Sequence, residues 1–287
     1  MNAIAFASTS GTNVQALHEA AKDNGYVIRA VFCDKKCGAM ERAEKQLGLP
    51  VIYESGVRFC GRWSDAYKAG KTEDYLKKCE DYETVVVDKL NDFAKEHDFD
   101  IDFIFLAGYM RIVRDTLLKA FPDKMANVHP GHLGLLDDNH KRVYDGDNAV
   151  MKAIAAGEQQ TYSTVHLATG VLDGGEMIVL SKPYKVDAPA DIIDIIQYTK
   201  AEIEKKGCID TVLSSFSKDS QWLYEKFEDF CGNHQDGQKV NCDWPAFTLA
   251  AKLIAQGRVK IGTKPNTLGV RNVYIDDRLT GYEGYEM

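Results

Sequence analysis

The sequence predicts an α/β protein built on a mostly parallel, twisted sheet whose first half is Rossmann-like. Two observations carry this expectation. Short β-rich apolar runs alternate with amphipathic helical stretches across residues 2–128, the signature of βαβ units with right-handed crossovers. The stretch Asp102–Leu106 is an apolar run of the kind buried in a parallel sheet. A length of 287 residues, 45% hydrophobic and 27% charged, is ample for one large core.

Asn2–Ala7 reads as the first strand, Ser8–Thr12 as a polar turn and Asn13–Asp23 as a helix, with Val14, Leu17 and Ala21 on one face. Val27–Cys33 is the second strand. A helix over Ala39–Leu47 stops before Gly48 and Pro50, and Val51–Tyr53 is a short third strand. Glu54–Asp81 is polar and aperiodic, as expected of a surface insertion. A helix over Val86–His97 leads into Asp102–Leu106; another helix and the strand Met125–Val128 follow.

The pattern then changes. Thr164–Ala168 and Met177–Leu180 are β-type runs whose connection is too short for a crossover helix, which predicts an antiparallel pair. Helices are expected over Ala190–Lys206, Ser220–Cys231 and Pro245–Gln256, the last with Pro at its start, and Asn233–Cys242 reads as a polar loop. The aperiodic tail from Gly262 to Met287 reads as an arm or a partner contact. The division expected is a catalytic domain over 1–205, carrying the 54–81 insertion, and a helical elaboration over 206–287 packed on it.

Composition removes several function classes. With 35 Lys+Arg against 43 Asp+Glu, the net charge of -8 lacks the basic surplus that binds phosphate backbones, so no nucleic-acid partner is expected. No apolar run approaches the ~20 residues that cross a bilayer. Met1–Ala7 lacks a basic n-region and reads as a strand, not a signal peptide. Seven scattered cysteines predict reduced thiols and a cytoplasmic setting. His129 and His132 have no matching second pair, and Cys33 and Cys37 are half a site at most, so no metal is expected.

Three motifs could carry chemistry. Gly11-Thr12-Asn13 lies where a strand hands over to a helix, an anion site by its free N–H groups and helix dipole, or simply a helix cap. Asn127 and His129, two apart at a strand end, point the same way; a carboxamide and an imidazole there polarise a carbonyl and shuttle a proton, unless His129 merely closes a turn before Pro130. Leu172-Asp173-Gly174-Gly175 places a carboxylate in a glycine-flexible turn.

Taken in order, Gly11-Thr12-Asn13, Leu106-Ala107-Gly108-Tyr109-Met110-Arg111-Ile112, Asn127-Val128-His129-Pro130 and Leu172-Asp173-Gly174-Gly175 resemble the folate-dependent formyltransferases. The likeness is strongest to the branch that formylates glycinamide ribonucleotide in purine biosynthesis, and it covers residues 2–185 plus Pro245–Gln256. It implies a formyltransferase fold and transfer of a formyl group from 10-formyltetrahydrofolate to a primary amine. By the same likeness Asn127, His129 and Asp173 match the catalytic trio. Met110, Arg111, Ile112 and Val113 match the pterin wall; Ala168, Thr169, Gly170, Leu172 and Asp173 belong to the folate-binding loop. Gly11, Thr12 and Asn13 match the cradle of the acceptor's phosphate. The partners implied are folate and a phosphorylated amine, with no membrane partner and room for a homodimer.

The departures fall on the acceptor side. Thr84 stands where the family carries a phosphate-gripping arginine, and Arg58, Arg62, Lys68 and Lys71 of the insertion are the candidate substitutes. Val240, Asn241, Cys242 and Asp243 precede Trp244-Pro245 where the family has Glu-His. Formylation of an amino sugar or a hydroxylated amino acid, or folate binding without turnover, are the alternatives.

Overall fold

Alternate residues of the first strand, β1 (Asn2–Ala7), divide the molecule. Ala3, Ala5 and Ala7 enter one apolar cluster, Ile4 and Phe6 the other, so the strand is buried on both faces. In the computed structural model, which describes residues 1–287, eight strands form one sheet around it. The chain continues as α1 (Thr12–Asn24), β2 (Val27–Cys33), α2 (Gly38–Glu41) running on as a π-helical turn over Arg42–Leu47, and β3 (Val51–Tyr53). Then come α3 (Gly56–Cys60), α4 (Trp63–Lys68), α5 (Thr72–Glu96), β4 (Phe103–Leu106), α6 (Asp115–Ala120) and β5 (Met125–His129). The later elements are α7 (Ala149–Ala155), β6 (Gln160–Thr161), β7 (Thr164–Leu167), β8 (Met177–Leu180) and β9 (Tyr184–Lys185). Helices α8 (Ala190–Lys206), α9 (Ile209–Asp219), α10 (Gln221–Gln238) and α11 (Trp244–Ala255) follow, and β10 (Val259–Pro265), β11 (Arg271–Ile275), β12 (Arg278–Leu279) and β13 (Tyr285–Glu286) close the chain.

The sheet order is β13-β8-β7-β5-β4-β1-β2-β3. Pairing is parallel from β3 through β5, antiparallel for β5–β7–β8, and parallel again for β13 on β8. The small Ala3, Ala5 and Ala7 lie in the cluster that holds Val14 and Leu17 of α1 and Ala246, Phe247 and Ala250 of α11, where short side chains let two helices approach. Phe6, Phe32 and Leu106 pack on the other face with Tyr82, Val86 and Leu90 of α5. A third cluster joins α7 to α8, α9 and α10. No helix is long and apolar enough to cross a membrane.

Three local expectations are corrected. The 54–81 stretch is helical rather than irregular: it folds as α3, α4 and the first turns of α5, mostly exposed on the surface and anchored by buried Cys60 and Cys79. The 233–242 stretch is not a loop. Helix α10 runs to Gln238 and passes through a π-helical turn, Lys239–Asp243, into α11. Pro245 has no N–H for the preceding turn, and the wider turn accommodates that loss without ending the helix. The tail is no free arm: β10–β12 form a small antiparallel sheet whose Val273 and Ile275 are buried in the main core, and β13 adds to β8. The composition-based reading also passed over α7 and α9.

One buried carboxylate ties the two halves of this face together. Glu83 of α5 accepts the backbone N–H of Arg114 at 2.6 Å and of Leu117 at 3.1 Å, capping α6 from another element, and burial pushes its carboxyl up. Glu83→Ala should therefore destabilise the protein by about 1–3 kcal/mol, because two amides lose their acceptor inside the fold. Urea denaturation at neutral pH checks this; an unchanged midpoint would show that water replaces the carboxylate at no cost.

Candidate functional site

The carboxyl ends of β4 and β5 open into a cleft of about 630 Å³, a volume typical of small-molecule sites. Its floor is set by strand register. Asn127 lies opposite His166 of β7, and His129 opposite Thr164, so Asn127, His129 and His166 share the face turned to the cleft. The Asn127 amide nitrogen is 3.4 Å from His166 Nε2. His129 and His166 are both buried.

Asp173 comes down on this floor from the turn between β7 and β8. Its backbone is left-handed, φ +46°, and the turn closes because its neighbours are glycines: a Cβ on Gly175 would lie 1.8 Å from the Leu167 carbonyl oxygen. The carboxylate Oδ2 accepts the Gly146 N–H at 2.9 Å and lies 3.3 Å from His129 Nδ1. Oδ1 lies 3.4 Å from His166 Nε2. One carboxylate thus sits between two imidazoles.

The far sides of both rings are already committed. His129 Nε2 is 2.7 Å from the Tyr144 carbonyl oxygen and His166 Nδ1 is 2.9 Å from the Leu167 carbonyl oxygen. A carbonyl only accepts, so each neutral ring carries its proton on that side and turns a lone pair toward Asp173. The cluster is built to take up a proton and hold it beside a carboxylate. Burial sets the resting balance: it pulls His129 below the usual imidazole value, outweighing the opposing attraction of Asp173 and the Tyr144 carbonyl. Burial is the largest single influence on Asp173 and raises its carboxyl. The His166 and His129 rings, which donate to and attract the carboxylate once they carry a second proton, together with the Gly146 N–H outweigh it and hold the group far below the usual carboxylate range.

The cleft has two arms. Along one, Met110, Arg111, Ile112 and Val113 face Ala168, Thr169, Val171 and Leu172, with Met110, Ile112, Val171 and Leu172 largely exposed. This wall is fixed from beneath. Ser8 donates to Asp34 at 2.6 Å and accepts the Met110 N–H at 3.0 Å. The Arg111 side chain turns away from the cleft toward Cys60 and Cys79 and stacks over Tyr82. Gly170, expected in the folate loop, does not line the cleft.

Along the other arm lie Thr9, Ser10, Thr12 and Asn13 at the start of α1, with Gln235, Lys239 and Asp243 from α10 and its π-helical turn. Gly11 is not in the wall. It has φ +77° and turns against α2, where a Cβ would meet Ala39 Cα at 2.8 Å. Arg58, Arg62, Lys68 and Lys71 are not in the wall either; Arg58 lines a separate groove with Tyr53 and Lys89. Thr84 is exposed on α5 and bonds Glu80. The cation that α10 and its π-helical turn add to this lining is Lys239, ion-paired with Asp236 at 2.7 Å, and behind the α1 turn Arg42 donates to the Ser10 carbonyl at 3.0 Å. Asp243 is buried, accepts from Ser163 and has its carboxyl pushed up to about 6 by burial.

His166, Gly146, Lys239 and Asp243 were missed by sequence reasoning. The alternation through Thr164–Ala168 held the signal for His166, which shares a face with Ala168, and the place of Asp243 just before Trp244-Pro245 held one for that carboxylate; nothing local marked Gly146 or Lys239.

The model of the formyl transferase family matches residues 1–212. The phosphoribosylglycinamide formyltransferase of Bacillus subtilis is 28% identical over 204 residues, covering 70% of this chain and 87% of that protein. The chloroplastic phosphoribosylglycinamide formyltransferase of Arabidopsis thaliana is 27% identical over 180 residues; the match takes in 61% of this chain and only 52% of that protein, so the chain spans about half the length of that relative. The phosphoribosylglycinamide formyltransferase structure from Coxiella burnetii superposes with a TM-score of 0.60 at 18% identity, covering 100% of this chain and 99% of that one, a likeness of fold.

The electrostatics predict a pH-dependent stability. The folded values of His129 and Asp173 are both depressed, so each adds stability above its unfolded value that is lost as pH falls. The His129 part is lost first, on descending through its ordinary value of 6.5. A single group contributes at most about 1.4 kcal/mol per pH unit. His129→Gln should flatten the curve of urea midpoint against pH below that value; a variant as steep as the wild type would show that other groups cause the loss.

Proposed function

The chain belongs to the formyl transferase family, and on that premise we propose that it transfers a formyl group from 10-formyltetrahydrofolate to the primary amine of glycinamide ribonucleotide, a step of purine biosynthesis. The observation that carries the reading is Asp173 seated between the His129 and His166 imidazoles where the two arms of the cleft meet. The relatives named for this reaction support the choice of acceptor. On this reading residues 1–205 are the catalytic domain, and 206–287 an elaboration that supplies Lys239 and Asp243. The reading is of a cytoplasmic enzyme; all seven cysteines are free, as in a reducing compartment.

The Met110–Val113 and Ala168–Leu172 walls suit a pterin: exposed apolar side chains offer a flat contact and backbone groups offer edge hydrogen bonds. Bound there, the donor supplies an electrophilic formyl carbon. Asn127 has a second amide hydrogen beyond the one facing His166, and it points negative charge developing on the formyl oxygen toward a donor. As the amine attacks the formyl carbon it sheds a proton to His129, paired with Asp173. As the bond from that carbon to N10 of the donor breaks, the proton passes to N10 and leaves with tetrahydrofolate. Burial, which pulls His129 below the usual imidazole value, keeps the ring free to accept. The acceptor's phosphate belongs at the α1 N-terminus, on the Thr12 and Asn13 amides and Lys239. Asp243, whose Oδ1 bonds Ser163, offers its other oxygen to a donor on the acceptor.

A screen of amines with 10-formyltetrahydrofolate tests the proposal. Glycinamide ribonucleotide should gain the mass of one formyl group. Gain on an amino sugar or a hydroxylated amino acid instead would move the assignment to that amine, and no consumption of donor with any amine would overturn it. His129→Ala and Asp173→Asn should each lower turnover by about 10²-fold or more. Lys239→Ala should raise the acceptor KM by about tenfold or more, the worth of a charge-assisted contact, and leave the donor KM alone. If phosphate does not compete with the acceptor and Lys239→Ala is silent, the α1 cradle is not the phosphate site.

A further inference from the structure

The segment Arg142–Gly146 touches both Asp173 and His129. Gly146 gives its N–H to Asp173 Oδ2, and the Tyr144 carbonyl takes the His129 Nε2 proton. Arg142 reaches the turn itself. Its guanidinium donates to the Asp173 carbonyl through Nη1 and to the Gly175 carbonyl at 2.8 Å through Nη2. The first of those carbonyls belongs to Asp173, a non-glycine residue in the left-handed region, a conformation that persists only when neighbours over-determine it, and the second lies two residues on in the same turn.

Arg142 is in turn held by the end of the chain. Nε donates to the Tyr282 hydroxyl at 3.2 Å, and the guanidinium lies over the Tyr282 ring, 5.7 Å from its centre. Tyr282 cannot drift, because β13 pairs with β8 three residues later and Gly284, φ +80°, lies so close to β8 that a Cβ would stand 2.7 Å from the Met177 carbonyl oxygen. Arg271 of β11 braces the same turn from the other side through Glu176, at 2.8 Å.

We propose that Arg142 is a positioning residue for Asp173, and that the C-terminal segment, through Tyr282, holds Arg142 in place as part of the active-site frame. The proposal rests on the reading of Asp173 as the carboxylate that handles the amine proton. It goes beyond that reading because Arg142 and Tyr282 touch neither substrate arm; they act by aiming a carboxylate.

Two measurements separate this role from a merely structural one. The first needs no substrate: nitrogen NMR of the imidazoles against pH. The charged and titratable groups facing His129 are Asp173 from the turn, His166 from β7 and Asp145 from the 142–146 segment. In Arg142→Ala the Asp173 carboxylate is no longer aimed at Nδ1, so His129 should titrate lower than in the wild type, by about half a pH unit or more. The second is steady-state kinetics. Arg142→Ala should lower kcat by about 10–100-fold with both KM values nearly unchanged, the cost of misplacing a reacting group. Added guanidinium should recover part of the rate, whereas Arg142→Lys should not, because one ammonium cannot span two carbonyls and a phenol. Should Arg142→Ala not fold, Tyr282→Phe, which keeps the ring and loses the hydroxyl acceptor, should show a smaller drop in kcat and a smaller shift of His129 in the same directions. If the wild type transfers formyl but neither variant alters kcat or the His129 titration, the inference is wrong. If His129 shifts as stated while the wild type formylates no amine, the positioning stands and the functional reading fails.

Discussion

A buried carboxylate costs several kcal/mol unless its surroundings are arranged for it, and the charge on Asp173 is the constraint to which the rest of this site answers. Gly146 contributes an N–H and two imidazoles face the oxygens. Gly174 and Gly175 allow the backbone into the left-handed turn that aims it. The sheet then puts the reactive neighbours within reach: β5 and β7 run antiparallel in a register that brings Asn127, His129 and His166 to one face. A one-residue slip would turn that whole row away from the cleft. Burial of the same cluster pulls His129 below the usual imidazole value while Asp173 pulls it up, so the proton affinity of the ring is set by the balance between hiding a charge and facing one.

Much of this architecture was legible in the chain because its physics is local. Alternating or wholly apolar runs such as Asn2–Ala7 and Asp102–Leu106 report strands directly, and the short link between Thr164–Ala168 and Met177–Leu180 forces an antiparallel pair. The failures share another origin. The 54–81 helices bury little surface apart from Cys60 and Cys79, so their apolar period is weak. The tail is ordered by pairing with β8 and by Val273 and Ile275 in a distant core, partners that no sequence window contains.

The same division runs through the site. Asn127, His129 and Asp173 could be named because each lies in a short motif whose turn chemistry is local. Arg142, Gly146 and Tyr144 could not. They enter through backbone groups or one long side chain, and backbone donors carry no residue signature. Gly11 shows how one motif divides its work: its left-handed backbone permits close packing against Ala39, and its neighbours Thr12 and Asn13 face the cleft.

The acceptor arm shows how a single imino acid redirects a binding surface. Pro245 removes an amide that a regular α-helix would need, and Asn233–Cys242 is polar enough to pass for a loop. A break there would have left Lys239 and Asp243 on a mobile connection. Instead the helix widens by one π-helical turn and continues, so α10 and α11 form one uninterrupted wall with Gln235, Lys239 and Asp243 fixed along it. Groups carried on a rigid element are held to tighter tolerances than groups on loops. The insertion that seemed to offer replacement cations is packed on the opposite side of the sheet by Cys60 and Cys79, beneath the wall assigned to the pterin. Arg58, Arg62, Lys68 and Lys71 do not line the cleft. Lys239 enters the cleft lining from a π-helical turn late in the sequence, so the way α10 joins α11 sets where that charge stands, independently of Asn127, His129 and Asp173 on the sheet and its β7–β8 turn.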